Sequence, residues 1–220
     1  DAYGTLFDVN AAARIAANEP NRKLFKEVWP SVSNIWRMKQ LQYTWLRSMT
    51  DSYIDFWSIT QNSLDFALET HKLQNDLELK ERLLALYWEL QPYSEVSQML
   101  KDLKENGIKT AILSNGSPEM LSGAVRSSDL NEFIDEIISV DTVKIFKPSA
   151  RVYEQVENII GCSNANVLFV SSNGWDIAGA AGFGFTTAWV NRLKEPIDRL
   201  PHKPMHIVED LTSIPSFFSN

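Results

Sequence analysis

From Pro92 onward, short apolar runs alternate with amphipathic helical segments, and this alternation restricts the fold more than any other feature of the chain. The runs are Thr110-Ala111-Ile112-Leu113, Ile137-Ile138-Ser139-Val140, Val167-Leu168-Phe169-Val170 and Thr187-Ala188-Trp189-Val190. Short runs of apolar and β-branched residues read as buried strands, and strands that alternate with helices imply a parallel α/β sheet. Residues 10–91 have a different texture. They show only helical periodicity and contain no glycine. Asn34, Arg37, Met38, Leu41 and Trp45 fall on one helical stripe, and Trp57, Leu64, Ala67 and Leu68 on another. The expectation is a small helical bundle set into an α/β chain. No internal repeat, low-complexity tract or long linker interrupts it.

Composition excludes several function classes. With 220 residues, 44% of them hydrophobic, the chain is long enough for one domain, or for a domain with an insertion. A net charge of −7 offers no basic surplus for nucleic acid, and it requires local positive charge wherever an anion binds. No run of 18 apolar residues exists, so no membrane partner is expected. The single cysteine, Cys162, cannot form an internal disulfide, which suits a cytoplasmic location. His71, His202 and His206 lie outside every motif below, and no metal-ligand cluster is read, so no metal site is expected. Gly179, Gly182 and Gly184 lack the spacing of a dinucleotide fingerprint. They are expected to permit close helix–sheet packing, and no cofactor is expected.

Open α/β sheets bind ligands beyond the carboxyl ends of their strands. Here those ends lead into Ser114-Asn115-Gly116-Ser117, Asp141 with Lys147-Pro148, and Ser171-Ser172-Asn173-Gly174-Trp175-Asp176. Polar, hydrogen-bonding residues thus collect where the rule puts a site.

The opening octapeptide, Asp1-Ala2-Tyr3-Gly4-Thr5-Leu6-Phe7-Asp8, resembles the nucleophile loop of the haloacid dehalogenase superfamily, in its L-2-haloacid dehalogenase branch. Leu113-Ser114-Asn115-Gly116, Lys147-Pro148 and Ser171-Ser172-Asn173 through Asp176 resemble that family's second, third and fourth motifs. The stretch from Trp36 to Ser48 resembles its halide-binding cap helix. The resemblance covers essentially the whole chain. It implies a Rossmann-like parallel core over 1–9 and 92–220, with a helical cap subdomain over 10–91. It also implies that an apolar strand immediately precedes Asp1 in the complete protein.

The same resemblance implies the chemistry. Asp1 is the expected nucleophile, attacking the α-carbon of a 2-haloacid to form an ester. Nucleophile and substrate are both anionic, and like charges about 4 Å apart at an effective dielectric of about 20 cost roughly 4 kcal/mol. Lys147 is the expected offsetting cation. Arg37 and Asn115 match the pair that takes the departing halide. Ser114 and the amides after Asp1 are expected to hold the substrate carboxylate, and Thr5 to support the nucleophile. Asp176, oriented with Ser171 and Asn173, is expected to activate the hydrolytic water. Tyr3, Leu41, Phe56 and Trp175 are expected to line the alkyl pocket, with Tyr153 also at the site near the lysine. Met38 departs from the glutamine of the family pattern. The expected partners are a 2-haloacid and halide, with a second copy of the chain in a homodimer.

Plainer roles compete with several of these assignments. Lys147 could be a surface lysine with Ser149 capping the next helix. Asp176 could cap its own helix, Tyr153 could be a packed aromatic, and Asp8 could begin a helix or mark a hinge. The competing functions are a Mg²⁺-dependent phosphatase of the same superfamily and a catalytically inactive homologue. Tyr3 argues against the former, because it stands where those phosphatases carry a second aspartate.

Overall fold

The computed structural model describes residues 1–218. Its strands lie within a residue of the apolar runs: β1 (Ala111–Ser114), β2 (Glu136–Ser139), β3 (Leu168–Ser171) and β4 (Thr186–Val190). A fifth, β5 (His206–Val208), gives no apolar run, because it is three residues long and its Ile207 is half exposed. All pairings between these strands are parallel. They form two sheets rather than one: β1 with β2, pairing Ser114 with Ser139, and β3-β4-β5, pairing Ser171 with Trp189. An apolar cavity of about 540 Å³ is lined by residues of both β1 and β3, among them Leu113 and Phe169.

Four helices occupy the glycine-free stretch: α1 (Ala11–Ala17), α2 (Lys23–Met49), α3 (Phe56–Thr70) and α4 (Leu77–Trp88). Side chains start two of them. Asp55 accepts from the Ser58 amide, and Asp76 from the Leu79 amide, each at 2.9 Å. Such caps satisfy amides that a helix's first turn leaves unpaired. The remaining helices, α5 (Val96–Glu105), α6 (Pro118–Ser127), α7 (Ala150–Ile160) and α8 (Gly174–Phe183), alternate with the strands. No helix among the described residues is long and apolar enough to cross a membrane.

The structure corrects the expected core stripe of α2. Asn34 and Met38 are exposed, whereas Val32, Trp36, Gln40 and Thr44 are buried. The reason is polar satisfaction. The Gln40 amide donates to the Thr60 hydroxyl (3.0 Å) and to the Tyr87 hydroxyl (3.1 Å), so a glutamine that reads as surface lies in the interior. Arg37 and Leu41 lie beside this buried line, partly exposed. Met38 points out of the packed face, so it does not shape a pocket beneath the helix.

Two connectors join the helical stretch to the sheets and run side by side. The Asp8 amide donates to the Gln91 carbonyl (3.0 Å), and the Tyr93 amide to the Leu6 carbonyl (2.9 Å). Asp8 also accepts from the Asn10 amide (2.9 Å) and pairs with Arg14 (2.8 Å), next to the start of α1, whose N-cap residue is Asn10. At the far end, Ser48 accepts from the Phe146 amide (3.1 Å), and Tyr53 donates to Asp141.

Candidate active site

The segment after Asp1 folds into a tight loop. The Ala2 carbonyl accepts from the amides of Thr5 (3.2 Å), Leu6 (2.9 Å) and Phe7 (3.1 Å). Gly4 supplies the turn with φ +85°, a value that favours glycine. The loop brings the Thr5 hydroxyl back to its own start, where it donates to Asp1 Oδ2 at 2.8 Å. The same hydroxyl accepts from the Ser172 amide at 2.8 Å, which joins the loop to the end of β3.

Three neutral donors meet on Asp1 Oδ2: Thr5, the Ser171 hydroxyl (3.2 Å) and the Asn173 amide (3.0 Å). Asp1 Oδ1 accepts from Lys147 Nζ at 3.2 Å. Lys147 also donates to Asp176 Oδ2 at 2.8 Å, and its side chain is only 1% exposed. The surface-lysine reading therefore fails. Ser149 stands at the N-cap of α7 but makes no side-chain cap hydrogen bond. Burial pushes the Lys147 ammonium below its ordinary value, while Asp176 pulls it back up.

Asp176 is fully buried and does not cap its helix. Its second oxygen accepts from the Tyr153 hydroxyl at 2.8 Å. It stands in the first turn of α8, where the helix's positive end favours a carboxylate. Tyr153 is a packed aromatic as well, within about 6 Å of the rings of Phe169, Phe183 and Phe185. Burial, then the Asp176 charge, raises its phenol far above the ordinary value, so it is a firm donor. Tyr153 is itself buried, and both hydrogen bonds of its hydroxyl go to Asp176, to the backbone carbonyl at 3.3 Å and to Oδ1.

Asn173 is the N-cap residue of α8, and asparagine is a strong capper. Its side chain makes no cap hydrogen bond. Its Nδ2 goes to Asp1, and its Oδ1 accepts from Arg37 Nη2 at 3.2 Å. Helix stability is forgone so that one amide can join the loop to the helix above it. Arg37 also reaches the Tyr3 carbonyl at 3.5 Å. Burial lowers the value of its guanidinium. Among the described residues no hydrogen bond joins Arg37 to Asn115. The Asn115 Oδ1 instead accepts from the Lys147 amide at 3.0 Å. The nearby cations Lys39 and Arg47 turn away, the first over the Phe66 ring and the second to the Ser52 carbonyl.

A family model described as haloacid dehalogenase-like hydrolase matches residues 1–184. The chain belongs to the haloacid dehalogenase-like hydrolases. It is 43% identical to (S)-2-haloacid dehalogenase 1 of Pseudomonas sp. (strain CBS-3), over 98% of this chain and 92% of that protein. A solved dehalogenase structure superposes with a TM-score of 0.94 at 39% identity, over 100% of this chain and 96% of the other. The L-2-haloacid dehalogenase of Xanthobacter autotrophicus with chloropropionic acid covalently bound gives 0.87 at 35% identity, over 98% and 95%.

Within this haloacid dehalogenase-like chain, the remaining expected residues divide. Tyr3 is buried, tilted against Phe56 (5.7 Å) and stacked on Tyr87 (5.8 Å), and burial raises its phenol well above the ordinary value. Trp175 meets Trp45 edge-on at 5.4 Å, and neither buried indole N–H finds a protein acceptor among the described residues. Ser114 is buried, and its hydroxyl accepts from the Gly116 amide at 3.2 Å, within its own loop. Of the residues expected at the site, only Asp1 and Thr5 line the 540 Å³ cavity; Lys147 and Asp176 do not.

Arg192 went unread in the sequence. It donates to the Thr5 carbonyl (3.2 Å), pairs with Glu95 (2.6 Å) and lies over the Tyr93 ring (3.8 Å), tying the nucleophile loop to the returning connector. The strand-end rule, applied after Val190, points to it.

Proposed function

We propose that this chain hydrolyses the carbon–halogen bond of short (S)-2-haloalkanoic acids, through an ester on Asp1, to (R)-2-hydroxyacids and halide. The observation that carries the reading is the split engagement of the Asp1 carboxylate. Oδ2 is held by three neutral donors, whereas Oδ1 meets only Lys147 among the described residues. Oδ1 has the freer lone pairs and is the attacking atom. It forms a bond to the α-carbon as the halide leaves from the opposite face with the bonding pair, which inverts that carbon.

The charges suit an anionic substrate. The carboxylates of Asp1 and Asp176 are balanced by Lys147 and Arg37, so the substrate anion does not meet a net negative site. Arg37, reached through the Asn173 amide, is the cation assigned to the leaving halide, with Asn115 as a neutral companion. A guanidinium presents several donors to a large anion. Tyr3, Leu41, Phe56 and Trp175 are assigned to the alkyl group, and Ser114 to the substrate carboxylate.

In the ester, Oδ2 becomes the carbonyl oxygen. Thr5, Ser171 and Asn173 are then already aimed at the atom that gains negative charge when water adds to Cγ. Asp176 takes the water's proton. Collapse breaks the Cγ–Oδ1 bond, and the product alkoxide takes the proton left on the new Asp1 carboxyl. Water thus supplies one oxygen to Asp1, and the proton on Asp176 passes to solvent.

The relatives support this reading. They bear haloacid dehalogenase names, and one holds chloropropionic acid covalently. We assign 1–9 and 92–220 to the core, 10–91 to the cap and a homodimeric assembly on the same resemblance, and a cytoplasmic location on the single cysteine. The test is halide release from the two enantiomers of 2-chloropropionate with chelator present. Release from the (S) form alone, with (R)-lactate formed, is expected. Activity that chelation abolishes and Mg²⁺ restores would place the chain with the phosphatases instead.

A further inference from the structure

We propose that Gly179 is a positioning residue for the reaction, required because a side chain there would drive the Tyr153 hydroxyl off Asp176. The inference rests on the assignment of Asp176 to the water-activating step.

Gly179 lies one turn beyond Asp176 on α8, at i+3 and therefore on the same side of the helix. A Cβ at this position would sit 2.6 Å from the Tyr153 hydroxyl, 3.3 Å from its Cζ, and 2.6 Å from Pro148 Cβ. Contacts below 3.0 Å are not sustained, so something must move. Both neighbours belong to the group that holds Asp176. Tyr153 donates to Asp176 Oδ1 at 2.8 Å, and Pro148 follows Lys147, which donates to Oδ2 at 2.8 Å. Tyr153 has little room to retreat, because Phe169, Phe183 and Phe185 pack around its ring. The cheapest relief is therefore to push its hydroxyl aside, which leaves one oxygen of a buried carboxylate unpaired and the carboxylate free to turn. Gly179 is not among the glycines with positive φ, so the requirement is one of space, not backbone conformation.

The test compares Gly179→Ala with Gly182→Ala, which perturbs packing against the His202 ring outside the site. Single-turnover intact-mass analysis with (S)-2-chloropropionate reads ester formation and decay separately. Gly179→Ala is expected to slow decay about tenfold or more, so that the Asp1 adduct accumulates while its formation stays within about threefold. Gly182→Ala is expected to do neither. The double variant Gly179→Ala/Tyr153→Phe, in which the obstructing oxygen is gone and the Pro148 Cβ contact remains, is expected to decay within about threefold of Tyr153→Phe alone, so that the hydroxyl and not Pro148 carries the effect. If Gly179→Ala does not fold, that double variant carries the test. Decay in Gly179→Ala within twofold of the parent overturns the proposal, and so does a full extra tenfold loss in the double variant. Absence of any adduct or halide release in the parent defeats the underlying reading instead.

Discussion

The two sides of the site are built differently. On the sheet side, Asp1, Lys147 and Asp176 form a buried chain of charge-assisted hydrogen bonds, and every carboxylate oxygen in it has a partner. On the helical side, Arg37 is joined to the sheet side by two contacts of 3.2 and 3.5 Å, and the indole N–H groups of Trp45 and Trp175 have no protein acceptor among the described residues. The first side is over-determined, as a preorganised electrostatic site must be. The second is loosely held, and its strongest donor has spare hydrogens. The difference teaches that the reacting carboxylate is fixed before substrate arrives, while the halide side has capacity in reserve for an incoming group.

Asp176→Asn cuts deepest into this contrast. It preserves shape but removes the proton acceptor, and general-base loss costs about 10²–10⁴-fold. Turnover is expected to fall by about 10³-fold, with the Asp1 ester trapped and visible by intact mass. Normal turnover without an adduct would reduce Asp176 to a structural anion.

Arg37→Lys tests the loosely held side. Loss of a donor to developing charge costs on the order of 10²-fold. The fall is expected in ester formation, so rapid-mixing mass analysis shows no adduct, opposite to Asp176→Asn. Near-normal halide release would remove Arg37 from the leaving-group role.

The third consequence concerns pH. Burial holds the Lys147 ammonium below its ordinary value of 10.5. The charged form is therefore present at lower pH and is lost as pH rises through that depressed value. kcat/KM is expected to fall on an alkaline limb centred below 10.5. Lys147→Arg, which stays charged, is expected to remove that limb while lowering the plateau. A limb unmoved in Lys147→Arg belongs to another group.

The smallest effect is expected where the helical stretch touches the segment after β2. Tyr53→Phe deletes the hydroxyl donated to Asp141 but keeps the stack on Phe146 at 4.9 Å. The contact is partly solvated, so the loss is expected to be about 1 kcal/mol or less, seen as a melting point lower by a few degrees. Turnover is expected to stay within about twofold.

The sheet side was readable in the sequence because parallel strands announce themselves as apolar runs and deliver their next residues to the site. Ser171, Asn173 and Asp176 follow one such run, and the structure brings them to Asp1 and Lys147. The helical side was read a step out of phase. Periodicity ranks Gln40 and Thr44 as surface, and only partners distant in sequence, Thr60 and Tyr87 for Gln40, make Gln40's burial tolerable. The partner of the Tyr153 hydroxyl, Asp176, is not legible in the sequence, since it is set by how α7 meets α8. β5 was too short to register. Gly179 reads as a packing residue, but its neighbours Tyr153 and Pro148 lie far from it in sequence and are set by how α7 meets α8.

The central claim is that Asp1, not water, attacks the α-carbon. A single turnover in H₂¹⁸O, with enzyme in excess over (S)-2-chloropropionate, tests it directly. Mass analysis of the peptide that carries Asp1 is expected to show one ¹⁸O in the Asp1 carboxylate, with none in the lactate. Lactate carrying the label, with Asp1 unlabelled, would contradict the account.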